Sequence, residues 1–172
     1  MSDRAFAVRR ATTEDAEDLA DVAKSTFTET FGHLYPPEDL ASYLGSTCTP
    51  AACRKTLSDP RMACWLVGAE GAPAAGFTVA GYCKLPVKDL EPTAGELRQL
   101  YVSSTHRNQL LGTLLFETAL AWLEQHYSPV YIGVWSKNYG AQRFYGRYGF
   151  AKVGEYGFLV GKTVDHELIL GR

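Results

Sequence analysis

Residues 100–125, LYVSSTHRNQLLGTLLFETALAWLEQ, constrain the fold more than any other stretch. An apolar strand end (Leu100, Tyr101, Val102) runs through a polar turn, Ser103 to Gln109, into a long amphipathic run with Gly112 near its start. A strand that feeds a helix in this way calls for a sheet with helices packed on it. The turn also makes a chemical demand. The first N–H groups of a helix have no intrahelical partner and the positive end of the helix dipole lies there, so such turns often hold an anion. Leu110 stands where a phosphate-cradling loop would more often place a second glycine.

The rest of the chain supplies both layers. Ala5–Arg10 alternates weakly and suits a short strand. Thr12 or Thr13 can cap a helix with Glu14, Asp15, Glu17 and Asp18 in its first turn, and Leu19, Val22, Ala23, Phe27 and Phe31 keep helical spacing. Pro36-Pro37 breaks that pattern, with a short helix from Pro37 to Leu44 and another after Pro50. Cys64–Ala69 and Gly76–Leu85 read as strands joined by 70-EGAPAAG-76, followed by loop to Pro92. Glu96–Val102 is a strand and Gln109–Tyr127 the long helix, whose stripe Leu111, Leu114/Leu115, Thr118 and Trp122 should face a sheet. Val130–Trp135 is a strand, and Asn138–Tyr148 a helix closed by Gly149. Phe150–Val160 and Val164–Leu170 are the last strands. The order predicts an α/β (α+β) mixed sheet and excludes a bundle or a sandwich.

At 172 residues, one domain over 1–172 is expected, and 46% hydrophobic with 21% charged residues is ordinary for a soluble globular chain. The formal charge of −2 argues against a nucleic-acid partner. Residues 1–45 hold nine acids and four bases, net −5, and the remainder ten acids and thirteen bases, net +3. This asymmetry reads either as solvated helix faces or as two regions handling oppositely charged ligands. Cys48, Cys53, Cys64 and Cys83 form no C-x-x-C pair, and no histidine stands at ligand spacing, so no metal site is expected and the thiols read as reduced. MSDRAFAVRRATTED lacks an apolar signal stretch and no segment approaches a membrane span, which gives a cytoplasmic expectation with no membrane partner.

Two segments carry the candidate chemistry. In the turn, Arg107 adds a cation beside the free N–H groups of residues 108 to 113, which suits a pyrophosphate. Neither G-x-x-x-x-G-K-S/T nor G-x-G-x-x-G is present. In 135-WSKNYGAQRFYGRYGF-150, Ala141, Phe144, Tyr145 and Tyr148 form one apolar helix face, and Gly140 and Gly146 each cost about 1 kcal/mol against Ala, so tertiary contacts must hold the helix. On spacing alone Tyr145 is a core tyrosine and Asn138 a helix N-cap.

Together these segments resemble the GNAT superfamily of acetyl-CoA-dependent N-acetyltransferases. The acyl-CoA loop R/Q-x-x-G-x-G/A matches 107-RNQLLG-112, and N-x-x-A-x-x-F-Y-x-x-x-G-F matches Asn138, Ala141, Phe144, Tyr145, Gly149 and Phe150. The stretches 26-TFTETF-31, 96-ELRQLYV-102, 131-YIGVWSKN-138 and 158-FLVGKTVDHELIL-170 look like the PaiA-type branch, whose members acetylate polyamines. The resemblance implies a mostly antiparallel sheet of six to seven strands, splayed at the cofactor site and flanked by helices. It implies that Leu100, Tyr101 and Val102 pair with the pantetheine arm of acetyl-CoA. Arg107, Asn108, Gln109, Leu110, Leu111, Gly112 and Thr113 would hold the pyrophosphate, and Asn138 would contact the pantetheine. Tyr145 would face the thioester sulfur as general acid, and Glu96, eleven residues before Arg107, would be the base. The departure is Leu110, where the family has glycine because the backbone passes close to phosphate; leucine can still adopt helical angles.

The implied reaction makes demands these residues meet. A lysine-like amine with a pKa near 10.4 must lose a proton to attack, which costs roughly 4 kcal/mol at pH 7.4. Glu96, with a reference value of about 4.3, could take that proton through water or with a raised pKa. A backbone N–H on the splayed strand can stabilise the oxyanion, and the Tyr145 hydroxyl can protonate the thiolate. No metal is needed. The acceptor is expected between the N-terminal helices and the late strands, with Phe27, Phe31, Tyr35, Trp135 and Tyr156 as wall residues.

The leading expectation is direct acetyl transfer to a polyamine or other small cationic amine by a monomer or homodimer. Alternatives are a peptide N-terminal or protein lysine acetyltransferase, a non-catalytic CoA-binding regulatory module because of Leu110, and an unrelated nucleotide-binding domain, which the missing phosphate motifs disfavour.

Overall fold

Local chemistry sets the element boundaries. Thr12 N–H donates to Asp15 Oδ2 at 2.8 Å, and a short turn leads into α1 (Ala16–Phe31). Prolines at the first helical position start α2 (Pro37–Thr47) and α3 (Pro50–Ser58), and the Thr49 hydroxyl caps α3 by accepting from Ala52 N–H at 3.1 Å. The long helix α4 (Leu111–His126) and the short α5 (Tyr139–Gly146) complete the helices. The strands are β1 (Phe6–Arg10), β2 (Met62–Ala69), β3 (Gly76–Tyr82), β4 (Gly95–Val102), β5 (Val130–Trp135), β6 (Ala151–Val160) and β7 (Thr163–Gly171). This computed structural model describes residues 5–107 and 110–172. Among them no helix is long and apolar enough to cross a membrane.

The seven strands make one sheet in the order β1-β2-β3-β4-β5-β7-β6. Every pairing is antiparallel except β4 with β5. The fold is thus the expected mixed α/β sheet flanked by helices. Helices α1, α2 and α3 serve one face, α4 and α5 the other. On the α4–α5 face Leu97, Ile132, Val134 and Leu170 join Leu111, Leu115, Phe116, Ala119, Leu120, Leu123 and Tyr145 in one buried cluster. The opposite face carries two smaller clusters, one around Leu19, Met62, Phe77 and Val79 and one around Phe27, Tyr35 and Val160.

Three sequence expectations change. The buried stripe of α4 runs through Leu111, Leu115, Phe116, Ala119, Leu120 and Leu123, so Leu114, 46% exposed, lies outside it. The 3.6-residue period places Leu115 and not Leu114 in line with Leu111, and the larger Phe116 and Leu120 widen the stripe. Strand β3 ends at Tyr82 instead of Leu85, where Tyr82 meets Gly95, the first residue of β4. Leu110, expected to take helical angles, sits at φ 58° and ψ 11°, in the left-handed region.

Two irregularities in β4 build the site. Its register against β3 shifts between Val79 and Ala80, with Leu97 opposite Ala80 and Gln99 opposite Val79. Arg98 is the extra residue of this bulge, which reverses the alternation. Glu96 and Tyr101, five residues apart, therefore face the same side. Pairing with β5 stops after Leu97–Ile132, so β4 and β5 splay apart beyond that point.

Candidate active site

The splay opens a cavity of about 890 Å³ through the α1–α3 side of the sheet. Of the residues singled out from sequence, Glu96, Leu100, Tyr101, Val102, Arg107, Asn138, Tyr145, Phe27, Phe31, Tyr35, Trp135 and Tyr156 all line it. Leu110, Leu111, Gly112 and Thr113 do not; they form the α4 start below the gap. Asn108 and Gln109 lie outside the described residues.

Between the splayed strands, among the described residues, no strand lies beside the edge of β4 from Arg98 to Val102 on the β5 side. Such an edge accepts an extended chain carrying amide groups, as an added strand would. The first helical bond of α4 runs from Leu114 N–H to Leu110 C=O at 3.0 Å. That leaves the N–H groups of Leu111, Gly112 and Thr113 without an intrahelical partner, in the positive field of a 16-residue helix. Arg107 adds a cation at the same turn. Glu29 of α1 anchors the turn by accepting Ser104 N–H at 2.8 Å. A long molecule with amide groups in one part and a pyrophosphate in the other fits this layout. The left-handed Leu110 also gives glycine's usual presence there a conformational reason: a Cβ is disfavoured at that φ, whatever the distance to phosphate. Its side chain is 76% exposed, so no packing compensates.

Asn138 caps α5: its Oδ1 accepts Ala141 N–H at 3.1 Å. Its amide nitrogen is left for the cavity it lines. Tyr145 is held from below by Phe116, whose ring also contacts Phe144, Tyr148 and Phe150 with centroids 4.6–6.3 Å away. No hydrogen bond joins the Tyr145 hydroxyl to another described residue, and burial raises its pKa, so it stays protonated at neutral pH.

Glu96 is 8% exposed. Its Oε2 accepts Lys84 N–H at 2.8 Å, and Arg98 Nε stands 3.8 Å away. Burial raises the Glu96 pKa, while the Lys84 N–H and the Arg98 charge oppose the rise. Arg98 is itself held by donation to the Tyr82 carbonyl and by stacking over the Tyr82 ring at 4.4 Å. Among the described residues its buried Nε has no hydrogen-bond partner.

The aromatic part of the cavity contains groups that sequence reasoning missed. Tyr43 and Phe158 join the aromatic wall; Tyr43 stacks on Phe27 at 4.5 Å. Glu167 lines the cavity and accepts the Tyr156 hydroxyl at 3.0 Å, with its pKa raised by burial. Tyr35 donates to Asp165. The signal was the alternation of 163-TVDHELIL-170, which puts Asp165 and Glu167 on one face of β7; only the structure says that this face turns inward. The charge asymmetry does not build the site: among the described residues, no acid of residues 5–45 lines the cavity. Its carboxylates come from Asp59, Glu96 and Glu167.

A mixed sheet opened between two strands, with the free N–H groups of a helix start at one end and a carboxylate and a tyrosine in the opening, is a layout suited to acyl transfer. The chain belongs to the acetyltransferase (GNAT) family, whose model matches residues 16–150. It is an acetyl-CoA-dependent N-acetyltransferase. It is 28% identical over 163 residues to an uncharacterized N-acetyltransferase of the pepI 3' region of Lactobacillus delbrueckii subsp. lactis, covering 91% of each chain. It is 29% identical over 159 residues to an uncharacterized N-acetyltransferase of Mycobacterium tuberculosis, covering 92% of this chain and 97% of the other. The fold matches the crystal structure of PaiA N-acetyltransferase from Thermoplasma acidophilum in complex with coenzyme A, with TM-score 0.76, 17% identity and 98% of each chain covered.

Proposed function

We propose that the chain transfers the acetyl group of acetyl-CoA to a primary amine of a small cationic acceptor of the polyamine class, by direct attack in a ternary complex. The observation that carries this reading is the acceptor end of the cavity: Phe27, Phe31, Tyr35, Tyr43, Trp135 and Tyr156 around the carboxylates of Glu96 and Glu167. Aromatic faces and carboxylates favour an ammonium group. The likeness in fold to the PaiA enzyme agrees with it.

Acetyl-CoA supplies an activated thioester; the chain supplies the rest. The free edge of β4 and the side-chain amide of Asn138 orient the pantetheine arm, and Arg107 with the first N–H groups of α4 holds the pyrophosphate. Glu96 receives the proton that the ammonium must lose, and its burial moves it toward the amine's own range. Tyr145 delivers a proton to the departing sulfur and regains one from the attacking nitrogen, which carries a proton too many once it is bonded to the carbonyl carbon, so the net proton released is the one on Glu96. Burial weakens Tyr145 as an acid, but the same dry cleft raises the proton affinity of a sulfur anion formed beside it, so the transfer stays near balance. The thiols favour direct attack. Cys53 lines the cavity, and burial raises its pKa, which keeps it protonated and a poor acyl carrier.

The test is acetyl-CoA-dependent release of CoA with spermidine and with a lysine peptide, alongside calorimetric binding of acetyl-CoA. Spermidine is expected to react faster, with intersecting initial-velocity lines, and Tyr145→Phe should lower kcat by about 10- to 100-fold. A faster lysine peptide would move the enzyme to protein acetylation. Parallel lines would require a covalent acyl-enzyme, and binding without turnover of either acceptor would leave a regulatory module.

A further inference from the structure

The sheet register places Glu96, Gly133, Trp135, Glu167 and Tyr156 on one face. Glu96 lies opposite Tyr131 on β5, Trp135 opposite Glu167 on β7, and Glu167 opposite Tyr156 on β6. Gly133 sits between the two glutamates, and a chain of contacts crosses it. Glu96 Oε2 holds Lys84 N–H, and the next residue, Leu85, has Cδ2 3.2 Å from where a Cβ on Gly133 would lie. The Tyr156 hydroxyl lies 2.6 Å from that same point and Glu167 Oε2 3.5 Å from it. Gly133 is thus the floor on which the Tyr156–Glu167 pair rests, and the missing side chain is what lets the pair come down onto β5. Two residues of β5 and one strand spacing separate the Cα atoms of Glu96 and Gly133, about 8 Å.

The two carboxylates differ in their partners. Arg98 stands near Glu96, whereas among the described residues no Lys, Arg or His pairs with Glu167, whose hydrogen-bond donor is the Tyr156 hydroxyl. A carboxylate drawn partly out of water without a cation is unfavourable unless a cation arrives. Trp135, stacked edge-on against Phe31 at 6.0 Å, closes the same end with aromatic surface that suits an ammonium.

We propose that Glu167, held by Tyr156 above Gly133, seats a second ammonium of the acceptor while the reacting amine lies at Glu96. The preferred acceptors are therefore diamines and polyamines, chosen by the spacing of their nitrogens. This rests on the small-amine reading above and adds the residue that sets its selectivity. The Cα atoms of Glu96 and Gly133 are about 8 Å apart and Glu167 Oε2 reaches to within 3.5 Å of the Cβ point of Gly133, which points to diamines with about three to six methylenes, spanning roughly 5 to 9 Å between nitrogens.

The experiment compares kcat/KM for 1,4-diaminobutane and butylamine, then for a series of longer and shorter diamines. The native enzyme is expected to favour the diamine by about tenfold or more, the effect of one charge-assisted hydrogen bond. Glu167→Gln should collapse that ratio toward one. Glu167→Asp, which keeps the charge and withdraws it by one methylene, should shift the optimum to the next longer diamine. Retained acetyl-CoA binding by calorimetry certifies that each variant is folded. Equal use of the two amines by the native enzyme, or a ratio unmoved by Glu167→Gln, overturns this assignment and leaves the small-amine reading standing. Failure to acetylate any amine overturns both.

Discussion

On the α4–α5 face of the sheet, side chains from strands and helices merge into one apolar cluster, and Tyr145 brings a single hydroxyl to its margin. On the α1–α3 face, the apolar side chains gather in two separate clusters, and the cavity with Glu96, Arg98 and Glu167 opens on that side. The splay of β4 from β5 opens the gap, but both faces belong to the same strands, so backbone pairing alone does not decide which face stays open. Side-chain choice does: the closed face is filled with Leu, Ile, Val and Phe, and the open face has glycine at 133 and carboxylates at 96 and 167. The closed face holds the fold together, and the open face can carry buried charge because a ligand reaches it.

The sharpest way to break this contrast is at Phe116, the ring about which Phe144, Tyr145, Tyr148 and Phe150 pack. Phe116→Ala should lower stability by about 3–5 kcal/mol in urea unfolding. A loss under about 1 kcal/mol would mean that the closed face is not the main source of stability.

Glu96→Gln probes the open face, and the expected effect moves from stability to rate. The value of kcat/KM should fall about 100-fold or more. In the native enzyme it should rise with pH through a value above the ordinary carboxylate range, because the proposed base must be deprotonated to act and burial raises the Glu96 pKa; that limb should vanish in the variant. Stability has the opposite sign. A carboxyl whose folded pKa is raised contributes fully below its unfolded value, about 4.3, and loses that contribution as pH rises through the folded value. At pH 7 the glutamine variant should therefore be as stable as the native protein or more so. A clear destabilisation would show that Glu96 is structural.

The smallest effect belongs to the turn that feeds α4. Leu110→Gly removes a side chain from a left-handed position and should raise stability by about 0.5–1 kcal/mol, after allowing for glycine's greater freedom when unfolded. Leu110→Ala keeps the Cβ and should gain nothing. Identical melting curves for the two variants would show that φ at 110 carries no strain.

These residues also show what a sequence can disclose. The element order and the positions of α5 and Asn138 were legible because caps, prolines and apolar periods are local signals. The helix start with its free N–H groups was legible for the same reason. Glu167 was not: it meets the site only through the pairing of β5 with β7 and of β7 with β6, and nothing within ten residues of it announces that its face turns inward. The bulge at Arg98 was hidden as well, since the single extra residue that puts Glu96 and Tyr101 on one side leaves the local pattern intact. Leu110 announced itself as an oddity, but its angle is set by the path from strand to helix and not by leucine's preference.

Asp39 offers a last consequence. From α2 it accepts Lys162 N–H at 2.9 Å and the Thr163 hydroxyl at 2.6 Å, at the tip of the β6–β7 hairpin. Gly161, at φ 58°, admits it; a Cβ there would fall 2.5 Å from the Asp39 backbone. Tyr35 and Asp165 make a second fastening between the same two segments. The hairpin that carries Tyr156 and Glu167 is thus buckled to the helix that carries Tyr43, while β4 and the turn proposed to hold the donor lie on other segments. A descendant gene could replace helix and hairpin together, as one cassette, and acquire a new acceptor without relearning how to grip the donor.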